Sequence, residues 1–146
     1  KDLPLYSYDR IFALGNDTLI VELYDTCINK NDYTRLKEIK DKFAYLTERD
    51  PGTHWYDSIK LNESISKIGK KKNSKEFDTF ALEHLIEFLS IESNLLLDVS
   101  KKKELTNNYV DGLLQNGGPS TDVFVKMFGL EKTKELYRTV LFGLDL

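Results

Sequence analysis

The stretch Ser74–Val99, SKEFDTFALEHLIEFLSIESNLLLDV, constrains the fold more than any other. Phe77, Phe80, Ala81, His84, Leu85, Phe88, Leu89, Glu92, Leu95, Leu96 and Val99 recur at the i, i+3, i+4, i+7 spacing of one helix face. Leu82, Ile86 and Ile91 widen the stripe beyond what a surface helix needs. A helix that is apolar over most of its girth packs among other helices. At ~1.5 Å per residue it would be roughly 39 Å long if continuous, enough to cross a small domain. Ser90 and Ser93-Asn94 are the points where such a helix bends or breaks.

The rest of the chain reads as what packs around this helix. Leu3-Pro4-Leu5-Tyr6 is an extended lead-in, because the residue before proline avoids the helical region. Ser7 caps a short helix to Leu14, closed by Gly15-Asn16. Asp17 or Thr18 caps a second helix to about Lys30, with Leu19, Ile20, Leu23, Tyr24, Cys27 and Ile28 in two rows four residues apart. A strand over Thr18–Leu23 is the rival reading. Asn31 or Asp32 caps a helix with Tyr33, Leu36, Ile39, Phe43, Ala44 and Leu46 inward, and Asp50-Pro51 opens another that runs through Trp55, Ile59, Ile65 and Ile68 to about Gly69. Beyond the central helix, Leu105, Tyr109, Val110, Leu113 and Leu114 mark a helix that Asn116-Gly117-Gly118 ends, followed by a short helix from Pro119 and a last helix from Glu131 to Leu144. The expectation is an all-α fold, a single domain over 1–146 with six or seven helices around Ser74–Val99.

Composition narrows function mainly by exclusion. A chain of 146 residues that is 40% hydrophobic can bury a core and is not disordered. A net charge of −3 argues against a protein that coats nucleic acid. The single cysteine, Cys27, sits on an apolar row and reads as a buried thiol. No apolar run approaches the ~20 residues that a bilayer span needs, and no cofactor or metal motif appears. Cytoplasm is the expected compartment, while the start at Lys1 rather than Met leaves room for a trimmed or processed N-terminus.

With two histidines, one cysteine and four arginines, the chain holds few catalytic side chains. One constellation stands out: Arg49-Asp50-Pro51-Gly52-Thr53-His54-Trp55-Tyr56. Its spacing resembles the Arg-x4-His-x-Tyr signature of the HEPN ribonucleases, with Pro-Gly inside the spacer. That resemblance implies a small all-α protein in which Arg49 and His54, beside Tyr56, act without metal on an RNA phosphate and the ribose 2′-hydroxyl. A guanidinium neutralises phosphate charge and an imidazole moves protons near neutral pH. Read without the resemblance, the segment is a loop capping a helix, with Trp55 packed beneath and Arg49 paired with a carboxylate. His84, between Phe80 and Phe88, reads as a neutral core histidine that acidification would charge.

Two further surfaces bear on partners. Lys70, Lys71 and Lys72 precede the central helix and Lys101, Lys102 and Lys103 follow it; they read as solvated linkers, or alternatively as contacts to nucleic acid. Leu141, Phe142, Leu144 and Leu146 make an apolar chain end which, with Tyr6 and Tyr8, forms either a docked terminus or an interface. The function expected is that of a small helical interaction protein, an adaptor or an inhibitor of the immunity kind. It binds a protein partner and performs no chemistry.

Overall fold

In the computed structural model, which describes residues 1–93 and 98–144, the chain divides into two compact units, Lys1–Leu95 and Leu96–Leu146. The all-α expectation is overturned in the first of them, which is built on a three-stranded antiparallel sheet. Strands β1 (Leu5–Ala13) and β2 (Asn16–Tyr24) occupy the two segments read as the first helices. They pair without interruption from Leu5↔Tyr24 to Ala13↔Asn16. The two-residue turn between them, Leu14-Gly15, has positive φ at both positions (50° and 72°), the twist that joins right-handed strands tightly.

The physical reason lies in the period. An i, i+4 pair such as Leu19 and Leu23 fits a 3.6-residue helix, but four is also a multiple of two. Val21 falls between them, and all three side chains are fully buried on one face of the sheet. The helix expected from Asp50 to Gly69 is likewise absent. Residues 55–59 form turns, and Ile65–Gly69 is strand β3, antiparallel to β2 from Val21↔Ile65 to Asp17↔Gly69. Its alternation places Ile65 and Lys67 on the same face as Leu19 and Val21.

Two helices cover that face. Helix α1 (Thr34–Lys42) begins where the Asp32 carboxylate accepts the Thr34 N–H at 2.9 Å, close to the expected cap. Helix α2 (Ser74–Ser90) ends at the first of the expected break points. It buries Phe77, Phe80, Ala81, His84 and Phe88, which are part of the anticipated stripe. Leu82, Leu85, Ile86 and Leu89 lie exposed instead, so α2 rests on a sheet with one face rather than sitting in the middle of a bundle. Leu95 and Leu96, read as inward, lie outside the described residues.

The main core joins Leu19, Val21, Phe43, Leu46, Ile65, Phe77, Phe80 and Ala81. Phe43 stacks on Phe80 with centroids 4.6 Å apart, and each such burial contributes about 2 kcal/mol. A second cluster, Leu23, Leu36, Phe88 and Ile91, adds Leu3, Tyr6, Tyr33 and Leu61 at its margin. Buried polar groups tie the layers together. Arg10 on β1 grips Asp17 on β2 at 2.6 Å, Ser74 donates to the same carboxylate at 2.5 Å, and Arg10 lies over the Phe77 ring. The fully buried Asp2 accepts the backbone N–H groups of Ile28 (2.9 Å) and Asn29 (2.8 Å), which pins the N-terminal lead-in.

The second unit is helical, as the spacing anticipates. Helix α3 (Val99–Asn116) is capped by Asp98, α4 (Pro119–Phe128) opens on its proline, and α5 (Leu130–Leu136) runs into a π-helical turn, Tyr137–Leu141. Tyr109, Val110, Tyr137 and Leu144 are its buried apolar side chains, and the Tyr137 hydroxyl meets Thr121 Oγ1 at 3.1 Å.

Candidate functional site

Alternation along the strands gives the sheet a second face, opposite the one that α1 and α2 cover. Asp9 of β1 and Ile20 and Glu22 of β2 line it, with Ser64 and Ser66 beside them. The segment 48–62 arches over this face and encloses an open cleft of about 550 Å³. Arg49, His54 and Tyr56 all line it, so the structure gathers the three residues singled out in the sequence. It does so on loops and turns beside a sheet, not on the all-α framework that the HEPN resemblance implies.

Glu22 is the hub of the cleft. It accepts from Tyr24 Oη at 2.7 Å and from Tyr56 Oη at 3.2 Å, and Lys60 Nζ approaches at 3.8 Å. Tyr56 stands edge-on to Tyr24 at 5.1 Å and is stacked flat against the His54 imidazole at 4.8 Å, with 6° between the planes. Asp57 accepts the His54 backbone N–H at 2.8 Å and pairs with Lys60 at 3.0 Å. These bonds hold its carboxyl below the ordinary range, the His54 N–H contributing most. The Asp57 carboxylate also lies 3.8 Å from His54 Nδ1, beyond hydrogen-bond distance. Asp9 shifts the other way, raised first by burial and then by the charge on Glu22.

Arg49 is held by its backbone, whose N–H donates to Ser66 O at 2.9 Å. Its guanidinium has no hydrogen bond or ion pair among the described residues, so the carboxylate partner expected for it is absent there. Among the described residues the cleft therefore offers one uncommitted guanidinium, one imidazole with an open nitrogen and a tyrosine hydroxyl already donated to Glu22. Sequence reading missed Glu22, Asp57 and Lys60. Glu22 alternates with buried Val21 and Leu23, a period-two signal that was present. Nothing in one dimension marks Asp57 or Lys60.

The other candidates are placed as follows. Lys70, Lys71 and Lys72 are exposed at the junction of β3 and α2 in the first unit, with Lys70 Nζ donating to Asn16 at 2.6 Å. Lys101, Lys102 and Lys103 lie in the first turns of α3 in the second unit. Tyr6 is half-buried against Phe88 at 4.7 Å and donates its hydroxyl to His84 Nδ1 at 3.2 Å, whereas Tyr8 is 50% exposed. Leu141 is exposed, Phe142 is half-buried beside Tyr109 and Leu144 is buried. Leu146 lies outside the described residues. Among the described residues no group of three His, Cys, Asp or Glu side chains is placed to hold a metal ion, and no helix is long and apolar enough to cross a membrane.

The sequence missed the most conspicuous apolar surface. Leu82, Leu85, Ile86 and Leu89 make an exposed stripe along α2 at i, i+3, i+4, i+7, with Leu82 58% and Leu89 60% exposed. At the hairpin tip, Phe12 is 67% and Leu14 98% exposed. The first unit is thus a two-layer α+β structure with a polar cleft on one face and an apolar helix on the other. No protein-family model matches this sequence, and no curated protein matches it.

Proposed function

We propose that this chain is a protein-interaction module that binds a macromolecular partner through α2. The observation that carries this reading is the solvent-facing stripe Leu82, Leu85, Ile86 and Leu89. Water-exposed apolar side chains scattered singly are ordinary, but four in one helical row form a continuous strip of the kind that mates with another apolar surface. The opposite face of the same helix already supplies the core, so the strip is not needed for folding this unit. Replacing Leu82 and Leu89 together by lysine tests it. Partner capture by tagged protein falls at least about tenfold on losing two such anchors, while the circular dichroism spectrum and unfolding midpoint stay near wild type. Capture unaffected by the double substitution removes the reading.

A second reading is favoured by the convergence of Arg49, His54 and Tyr56 on one cleft. In it the free guanidinium receives a phosphodiester and the imidazole transfers the proton of the attacking 2′-hydroxyl, with no metal. It predicts RNA cleavage that persists in EDTA and is lost in His54→Ala. Equal behaviour of wild type and variant on RNA excludes it.

A further inference from the structure

The sheet is protected on one side and bare on the other. The outer edge of β3 is bonded by the segment that follows α1: Arg49 N–H donates to Ser66 O and Ile68 N–H to Thr47 O. The outer edge of β1 pairs with no strand among the described residues. Proteins blunt such edges by keeping them short or by adding charged residues, proline or a bulge, and of these β1 has only Asp9 and Arg10. β1 is nine residues long, contains neither lysine nor proline, and runs in unbroken register with β2. Its Arg10 charge is consumed by Asp17. Tyr8, Ile11 and Phe12 are all at least 46% exposed.

We infer that β1 pairs with β1 of a second copy of this chain, antiparallel about a two-fold axis at Tyr8, to make one continuous six-stranded sheet. The side chains select both partner and register. Directly opposed residues share a face in an antiparallel pair, so a register that keeps both helix layers on one side must set like parity against like. Centring on Asp9 opposes two carboxylates, and centring on Arg10 opposes two guanidinium groups. Centring on Ser7 sets Leu5 against Asp9 and leaves Ile11 and Phe12 outside the ladder. Centring on Ile11 runs the ladder into the Leu14-Gly15 turn. Centring on Tyr8 opposes Tyr8 to Tyr8, Leu5 to Ile11, Ser7 to Asp9 and Tyr6 to Arg10. That is an aromatic pair, an aliphatic pair and a hydroxyl against a carboxylate, with no like charges facing and with Arg10 and Tyr6 keeping their contacts to Asp17 and His84.

The inference is independent of the α2 surface, and it is tested by sedimentation and site-directed cross-linking of the full chain. Wild type sediments as a concentration-dependent dimer, and Tyr8→Lys, which sets two ammonium groups face to face, weakens the dimer about tenfold. In a Cys27→Ser background, Tyr8→Cys forms an oxidised dimer, because self-opposed Cβ atoms lie ~5 Å apart. Asp9→Cys does not, since its two copies sit roughly 8 Å apart, beyond disulfide reach. Unchanged circular dichroism shows that each variant is folded. A monomer at every concentration up to the solubility limit, or cross-linking through position 9 and not 8, overturns the inference.

Discussion

At the scale of single residues, His84 is the most consequential side chain of the first unit. It is fully buried between Phe80 and Phe88, and both ring nitrogens are committed. The Glu63 carbonyl at 3.0 Å can only accept, so the proton sits on Nε2 and Nδ1 accepts from the Tyr6 hydroxyl. Burial pushes its pKa down to about 4, and pushes the Tyr6 hydroxyl up to about 12. The unfolded chain therefore takes up the proton first. Stability is full above pH ~6.5 and is lost as the pH falls from there toward 4, by a few kcal/mol in all. Urea unfolding at pH 7.5 and pH 5 measures it: wild type is weaker at pH 5, and His84→Gln flattens the difference even though it unfolds at lower urea at neutral pH. A pH-independent midpoint in wild type would mean that His84 is solvated or already charged.

At the scale of elements, the β1–β2 hairpin carries a local contradiction. Leu14 has φ of 50° yet is 98% exposed, so a branched side chain occupies a left-handed position and packs against almost nothing. Such backbone suits asparagine or glycine and costs other residues of order 1 kcal/mol. Leu14→Asn is expected to stabilise the protein by about 0.5–1 kcal/mol, read as a higher urea midpoint with an unchanged m-value. A lower midpoint would show that the Leu14 side chain contributes packing. The same hairpin shows why element types were partly illegible. Over Leu19–Tyr24 the residues satisfy helical and strand periods alike, and what decides is pairing outside the segment, with Leu5–Ala13 across the hairpin and with Ile65–Gly69 from farther along the chain. Buried α2 needed no such partner to be recognised, because Phe77, Phe80, Ala81, His84 and Phe88 over 17 residues fit one period only.

At the scale of the whole molecule, the first unit has core clusters of its own. The clusters around Phe80 and around Phe88 draw only on residues from Leu3 to Ile91. A fragment of residues 1–93 is accordingly expected to unfold cooperatively and to retain the weakening below pH 6.5 that His84 imposes. Thermal scans at pH 7.5 and pH 5, beside the full chain, check this. Loss of cooperativity in the fragment would show that the second unit completes the first.

The sequence by itself determined the helices whose apolar rows repeat often enough to exclude other periods: α1, α2 and those of the second unit. It determined five buried positions of α2, Phe77, Phe80, Ala81, His84 and Phe88, but not the exposure of Leu85 and Leu89 on the stripe it drew, and it determined the core histidine. The Arg49–His54–Tyr56 spacing was visible too. Tertiary structure alone decided the rest. It put strands where two helices were expected and over the last five residues of a third, because a strand's hydrogen bonds are made to another strand rather than within the segment and leave no local periodic trace beyond alternation. It also decided which side of α2 faces water. The hydrophobic effect counts area removed from solvent, and only the assembled layers determine which apolar side chains find a surface to cover them.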